Sequence, residues 1–317
     1  MREPTVAYRV KRTRKVKEEQ AAWIKRDVLW LRVLEKRMSM SGWMERPPEH
    51  RGAATDEQTH LAATSFRHEL GLHDDDEVIP AHRLLSWIAT HGICLVPVLW
   101  GAKEQPLQAM YVRMPDSEIH WLYASLDATV VDIRFWLLHE IAHIIRRHPH
   151  DAEGSEEMFS DTFAAEVLFP MKQATDFLHI REAKDPNTQK DILWRLAAAR
   201  GISPVTMYRQ VNHALERAQQ PRLELDALVY PRALSQSKQT PTWADALFGG
   251  QPPSGRHFVD VCSERLHTPV FRLAAREIVE NNRGHGFVER VFQCSASDAM
   301  ALHAVLREYA TSDTRRS

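Results

Sequence analysis

The segment from Thr129 to Arg147 constrains the chain more than any other, because it carries both a helix and a metal-ligand spacing. The helix prediction ends before Pro149, since proline cannot continue a helix. His139 and His143 are four residues apart, so a helix places their side chains one turn apart on one face. Glu140 is offset from His139 by about 100°. The pattern His-Glu-x-x-His therefore predicts two imidazoles that bind one zinc ion, with a carboxylate beside them.

The His-Glu-x-x-His pattern alone is weak evidence for a metal site, because chance would supply it in about one chain out of fifteen of this composition. The residues around it must therefore support the interpretation. The apolar residues of the helix fall on the side opposite the two histidines, which predicts that the helix buries its back and presents the histidines to a cleft. These apolar residues are Val130, Ile133, Leu137, Leu138, Ile141, Ile144 and Ile145.

A third ligand is needed, because catalytic zinc takes three protein ligands and a water molecule. Glu157 lies fourteen residues after His143, on a second helix predicted from Ser155 to Phe169. Asp161 follows one turn later on the same face, where it could hydrogen-bond the second ring nitrogen of a ligand histidine. Glu153 and Glu156 serve the third-ligand role equally well by spacing, so the spacing leaves this choice open.

The two segments together resemble the ImmA/IrrE family of metallopeptidases. The first block runs Arg134-Phe135-x-x-x-His139-Glu140-x-x-His143, and the second runs Glu157-x-x-Ser160-Asp161-x-Phe163-Ala164-Ala165-Glu166-Val167-Leu168-x-Pro170. That family typically has alanine and asparagine where this chain has Ser160 and Asp161. Asp161 restores the Glu-x-x-x-Asp spacing of thermolysin-like zinc peptidases. The resemblance covers about residues 55–215.

The resemblance implies a zinc metalloendopeptidase of gluzincin type, in which His139, His143 and Glu157 hold one catalytic Zn²⁺ and Glu140 is the catalytic base. Such peptidases usually cut a helix–turn–helix repressor of the XRE type, often on a stress signal such as DNA damage, so DNA is a candidate effector. The reaction also needs an oxyanion donor. Tyr111, Tyr123 and His179 are candidates, but nothing in the sequence ranks them.

Residues 186–220 resemble a helix–turn–helix. Gly201 suits the turn, Ser203 can cap the second helix, and Pro204 suits its first position. The side chains that could reach DNA or a partner are those of Thr206, Tyr208, Arg209, Gln210 and Asn212. Only Arg200 and Arg209 are basic between Ala197 and Asn212, which is meagre for phosphate binding. A structural or partner-docking role is therefore favoured over direct DNA contact.

The rest of the chain predicts a predominantly helical α+β protein with a small sheet before the motif helix. Strands are expected at residues 93–99, 109–113 and 118–124, and helices at 16–40, 55–70 and 80–90, with two more helices after the glycine-rich loop 249–255. Four parts are expected. They are a basic N-terminal helix and linker (1–50), a minimal zincin-like domain (51–185), the helix–turn–helix-like segment (186–220), and a C-terminal domain of unknown type with sensing as a candidate role (221–317).

Charge and cysteine content predict the cellular setting of the protein. The formal net charge is −1, although residues 1–40 hold twelve Lys/Arg against five Asp/Glu, so the first helix is either a solvated basic face or a nucleic-acid or partner-binding arm. Three separated cysteines and a charged N-terminus without an apolar stretch predict a soluble cytoplasmic protein with no membrane contact. His148 and His150 are expected in a surface loop.

Three functions remain open from the sequence. They are a repressor-cutting peptidase, a peptidase toxin or defence component, and a DNA-binding regulator with a vestigial zinc site.

Overall fold

The computed structural model describes residues 5–10, 27–38, 46–50, 55–73, 78–99, 107–114, 116–146 and 155–313 of the chain. These residues form fourteen α-helices and a four-stranded sheet, so the predicted α+β class with a helical majority is confirmed. The strands are β1 (Thr5–Val10), β2 (Ile93–Val98), β3 (Leu107–Arg113) and β4 (His120–Ser125). The helices are α1 (Leu31–Met38), α2 (Asp56–Glu69), α3 (Ala81–Thr90), α4 (Ile133–Arg146), α5 (Ser155–Leu168), α6 (Met171–Asp176), α7 (Pro186–Arg200), α8 (Pro204–Arg217), α9 (Asp226–Ser237), α10 (Trp243–Phe248), α11 (Gly255–Arg265), α12 (Val270–Glu280), α13 (His285–Phe292) and α14 (Ala296–Asp313).

The chain divides into two compact units, each built from separate stretches of sequence. The first, here the sheet unit, contains residues 1–48, 85–128 and 242–317. The second, here the motif unit, contains residues 49–84 and 129–241. The units thus draw residues from several of the four expected ranges: residues 221–241 group with the motif helix, and residues 242–317 group with the strands.

The sheet unit is organised around β2 and β4, in which every residue is buried. The strand order is β1-β3-β4-β2, with β2 parallel to β4 and the other two pairs antiparallel. Pro97 lies in β2, an end strand, where its missing N–H costs no ladder bond on the open side. Helices α12 and α13 pack on β2. The buried Tyr123 hydroxyl of β4 donates to the carbonyl of Val291 at 2.8 Å and ties the sheet to α13.

The described part of the N-terminal segment packs in the sheet unit. Helix α1 buries Leu31, Leu34 and Met38 and packs on α12. Arg37 pairs with Glu277 at 2.8 Å and with Glu280 at 2.6 Å. This packing supports the interpretation of residues 27–38 as a helix on the main body, whereas most of the predicted helix 16–40 lies outside the described residues.

The C-terminal region differs from its prediction. Two helices are expected beyond the loop 249–255, but α11, α12, α13 and α14 lie there. Three of these helices have 8 to 11 residues, too short for a strong periodic signal. No described helix is long and apolar enough to cross a lipid bilayer.

The motif unit is a set of packed helices around α5. Helices α2 and α4 pack along α5, and α8 packs on α5, α6, α7 and α9. Thr55 caps α2 by accepting a hydrogen bond from the N–H of Gln58 at 3.3 Å. Asp185 and Ser203 cap α7 and α8 in the same way. These caps fix where each helix begins and therefore which faces meet.

Candidate metal centre

Helix α4, which packs along the central helix α5 of the motif unit, carries the His-Glu-x-x-His pattern. Every residue from Leu137 to Arg146 is buried, with His139 and Glu140 each 1% exposed and His143 6% exposed. The apolar back of the helix is buried as expected, from Ile133 to Ile145, whereas the histidine face is covered and does not line an open cleft. The reason is that α5 packs along the histidine side of α4 and covers it.

Three side chains converge between α4 and α5. Nε2 of His139 and Nε2 of His143 are 3.3 Å apart. The carboxylate of Glu157 completes the triangle, with Oε2 at 3.5 Å from Nε2 of His139 and Oε1 at 3.4 Å from Nε2 of His143. The Glu157 side chain is 41% exposed, so it is the member of the cluster closest to solvent.

The spacing of these atoms fits a tetrahedral metal ion. Zinc binds histidine nitrogen and carboxylate oxygen at about 2.0–2.2 Å, which gives a tetrahedron with edges of about 3.3–3.5 Å. The two Nε2 atoms are 3.3 Å apart, which is the length of such an edge, and the nearest Glu157 oxygen lies 3.5 Å from one nitrogen and 3.4 Å from the other, through different oxygens of the carboxylate. With one ligand atom taken from each residue, all three lie within 4.8 Å of one another. Two imidazoles and one carboxylate are also a donor set that catalytic zinc uses. The residues present therefore fit a zinc ion.

The structure separates Glu157 from its neighbour Glu156, which the spacing leaves equivalent. Both carboxylate oxygens of Glu156 are bound by Arg146, with Oε1 2.6 Å from Nη2 and Oε2 3.1 Å from Nε. Glu157 instead reaches both histidines. Glu153, the other sequence candidate, lies outside the described residues.

The second ring nitrogen of each histidine meets a neighbour from α5. Oδ1 of Asp161 lies 3.1 Å from Nδ1 of His139, a close charge contact that is not aligned as the expected hydrogen bond. Oγ of Ser160 lies 3.4 Å from Nδ1 of His143. Sequence reasoning missed the Ser160 contact. Its only signal is position, since Ser160 and Asp161 follow Glu157 by three and four residues and so share its helix face.

The charge of the cluster favours a proton on His143. Burial opposes a charged imidazole, but the hydrogen bond with Glu157 and the charges of Glu140, Glu157 and Glu156 outweigh it and raise the pKa of His143. Burial would likewise raise the pKa of Glu157, yet the two histidines lower it far below its ordinary range. Glu157 is therefore an ionised carboxylate at neutral pH, which is the form that binds a metal ion.

Two side chains, those of Glu166 and Arg134, hold the helices that carry the cluster. The Glu166 carboxylate, at the C-terminal end of α5, accepts from the N–H of Met171 at 2.9 Å and contacts Nδ1 of His60 at 2.7 Å and Nε2 of Gln210 at 2.5 Å. This carboxylate joins α5 to α2, α6 and α8. Glu166 is thus a structural residue.

Arg134, in the first turn of α4, has a similar role. Its guanidinium donates to the carbonyl of Ile79 at 2.9 Å and to the carbonyl of Gly201, the left-handed residue that ends α7. Arg134 therefore attaches the helix–turn–helix-like pair to the motif helix.

The structure places most of the candidate DNA-contacting residues of α8 inside the motif unit. Thr206, Tyr208 and Asn212 are 7%, 2% and 1% exposed. The amide of Asn212 binds both the N–H and the carbonyl of Leu223, and the Tyr208 hydroxyl donates to the same carbonyl at 2.7 Å. These three residues cannot read DNA from such positions, and the interpretation of them as contact residues is corrected here. Gln210 is also buried, at 2% exposed, so Arg209 alone of the five predicted residues remains partly exposed.

The structure supports none of the three candidates for the oxyanion donor, Tyr111, Tyr123 and His179. Tyr111 is buried in the sheet unit, where its hydroxyl lies 3.0 Å from Nδ1 of His120, and Tyr123 bonds the carbonyl of Val291. His179 is exposed in a 3₁₀ turn and bonds the carbonyl of Asp176. His148 and His150 lie outside the described residues.

No protein-family model, curated protein or solved structure matches the chain. The resemblance to ImmA/IrrE peptidases therefore rests on the residue pattern.

Proposed function

We propose that the chain is a zinc-dependent metallopeptidase with a zincin-like helix pair, in which His139, His143 and Glu157 hold the ion. The observation that carries this proposal is the convergence of His139, His143 and Glu157 between α4 and α5, with one ligand atom from each residue lying within 4.8 Å of the other two. A structural role for two buried histidines would not require their Nε2 atoms and a carboxylate to face a common point. Zinc bound there would act as a Lewis acid and make water acidic enough to lose a proton at neutral pH.

Glu140 is the proposed catalytic base. It lies between the two histidines in sequence. Its charge helps to raise the pKa of His143, which places its carboxylate near the proposed ligands. In peptide hydrolysis a water oxygen bonds to the carbonyl carbon and the carbon–nitrogen bond breaks. The Glu140 carboxylate takes the proton from that water and returns it to the leaving amine nitrogen.

The proposed substrate is a protein, and the resemblance to ImmA/IrrE peptidases favours a helix–turn–helix repressor cut in response to stress. A toxin or defence peptidase with another substrate uses the same residues. The DNA-binding alternative loses support because Thr206, Tyr208 and Asn212 are buried.

Co-expression of the chain with a repressor encoded beside it tests the proposal. Intact-mass analysis should find defined repressor fragments with the wild type and an intact repressor with Glu140→Gln. The Glu156→Gln variant is the matched control, since it alters a neighbouring carboxylate that binds Arg146, and it should still cut. Equal fragments from wild type and Glu140→Gln would refute the catalytic role. An intact repressor with both, also after addition of zinc and single-stranded DNA, would direct attention to the toxin or defence alternative.

A further inference from the structure

Ser160 stands at a position that neither the spacing argument nor the family pattern assigns to the metal centre. Its side chain is fully buried on α5, and its Oγ lies 3.4 Å from Nδ1 of His143. The neighbouring Asp161 contacts His139 instead, at 3.1 Å from its Nδ1. Consecutive residues of one helix therefore each contact a different histidine of the cluster.

We propose that Ser160 is a positioning residue for the metal centre and acts through His143. This inference rests on the proposed zinc site. A histidine that binds zinc through Nε2 carries its remaining proton on Nδ1, and that proton needs an acceptor in a buried setting. The Ser160 hydroxyl oxygen is that acceptor. By accepting the proton it selects the tautomer of His143 that leaves Nε2 bare, and it holds the ring with Nε2 towards Glu157.

Helices α4 and α5 together supply all three proposed metal ligands and both side chains that support the histidines. Helix α4 supplies both histidines, and one face of α5 supplies the carboxylate ligand Glu157 and, one turn later, both supporting side chains. The two supports differ in chemistry. Asp161 offers a negative charge, which makes its imidazole a stronger electron donor, whereas Ser160 offers a neutral hydroxyl that orients the ring without adding charge. Ser160 therefore contributes geometry, and its loss should affect metal affinity more than protein stability.

The test compares Ser160→Ala with Thr162→Ala. Thr162 lies half-buried two residues further along α5, and its hydroxyl makes no hydrogen bond with the described residues. Zinc affinity is measured by competition with a chromophoric chelator, and the melting temperature of the zinc-free protein is measured in parallel. We expect Ser160→Ala to weaken zinc binding about tenfold, at the lower end of the range for residues that support a ligand. Thr162→Ala should bind as the wild type does.

Ser160→Thr and cobalt substitution separate positioning from a general packing effect. The visible absorption of bound Co²⁺ reports the arrangement of the ligands, so it should change in Ser160→Ala and return towards the wild-type spectrum in Ser160→Thr, which restores a hydroxyl. The melting temperature of zinc-free Ser160→Ala should shift no more than that of Thr162→Ala.

The outcomes distinguish this inference from the proposed function. If His143→Ala loses zinc while Ser160→Ala binds zinc and Co²⁺ as the wild type does, the metal site stands and the role of Ser160 is overturned. If His143→Ala binds zinc as well as the wild type, the metal site itself fails and the inference fails with it.

Discussion

Arg146 and Glu156 form a two-point ion pair, with contacts of 2.6 and 3.1 Å, on the same two helices as His139, His143 and Glu157. The arginine is 5% exposed and its guanidinium also lies 4.7 Å from the centre of the Phe159 ring. Because this pair occupies both oxygens of Glu156, the adjacent Glu157 is the carboxylate that reaches the histidines. Two neighbouring glutamates thus have separate tasks, one structural and one proposed to bind metal.

Substitution of the two glutamates should separate these tasks. Glu157→Gln removes a charged ligand, and we expect zinc affinity to fall on the order of 100-fold or more with little change in the stability of the zinc-free protein. Glu156→Gln leaves Arg146 buried with a weaker partner, which should cost about 3 kcal/mol of unfolding free energy and leave zinc affinity almost unchanged. Urea unfolding and chelator competition measure the two effects. A loss of zinc binding in Glu156→Gln alone would reverse the assignment.

Zinc affinity should depend on pH through His143. The pKa of this histidine is raised, and zinc binds only the neutral imidazole, so protons compete with the metal below that pKa. Glu157 adds no competition near neutrality because its pKa is lowered. We expect affinity to fall about tenfold per pH unit below the pKa of His143 for the one proton displaced. Equal affinity at pH 5.5 and pH 8 would contradict this account.

The zinc-free protein should show the opposite pH trend. A raised folded-state pKa means that protonated His143 stabilises the fold, fully below its ordinary value of 6.5, and this stabilisation is lost as pH rises through the raised pKa. The difference in melting temperature between wild type and His143→Ala, both without zinc, should therefore shrink with rising pH. A difference that grows with pH would show that the sign is wrong.

Gly201 should tolerate a side chain less well than another left-handed glycine of the same unit. Gly201 has φ 58°, and a Cβ there would lie 2.9 Å from Nη2 of Arg134, whose displacement breaks the bonds to Ile79 and Gly201. Gly71 has φ 72° but an ordinary 3.7 Å contact. Gly201→Ala should therefore destabilise the protein by about 1 kcal/mol more than Gly71→Ala in denaturant unfolding. Equal losses of unfolding free energy in the two variants would mean that the Arg134 side chain can move away from Gly201 without a measurable energetic cost.

Asn212 should behave as a structural residue. Asn212→Ala leaves the N–H of Leu223 without its side-chain partner and the carbonyl of Leu223 with the Tyr208 hydroxyl alone, so we expect a loss of about 2 kcal/mol in unfolding free energy. Arg209→Ala, on the partly exposed face of the same helix, should cost less than about 0.5 kcal/mol. An Asn212→Ala variant of normal stability whose DNA affinity is reduced would restore the DNA-contact interpretation.

Local sequence patterns were sufficient for the elements that carry the site. The predicted segments 129–147 and 155–169 correspond to α4 and α5, and the strands at 93–99, 109–113 and 118–124 correspond to β2, β3 and β4. These elements have long apolar patterns and clear proline or glycine boundaries. Residues 1–15 carried no strand prediction, but β1 forms there because it pairs with β3, a contact that local pattern does not reveal.

The finer features of the site depend on long-range packing. Spacing could not choose between Glu156 and Glu157, because the choice follows from the position of Arg146 one helix away. The same holds for Ser160, whose contact with His143 requires the register of α5 against α4. The all-round burial of α4 was also hidden, because the polar residues His139, Glu140 and His143 suggest an open face when read without the helices that cover them.

Zinc content measured after equilibrium dialysis tests the central claim most directly. The account predicts one tightly bound zinc ion per chain for the wild type and for Glu140→Gln, and loss of that ion in His139→Ala, His143→Ala and Glu157→Ala, with each variant still folded by circular dichroism. Zinc retained at one ion per chain in all three ligand variants, or a wild type that binds none, would contradict the metal centre.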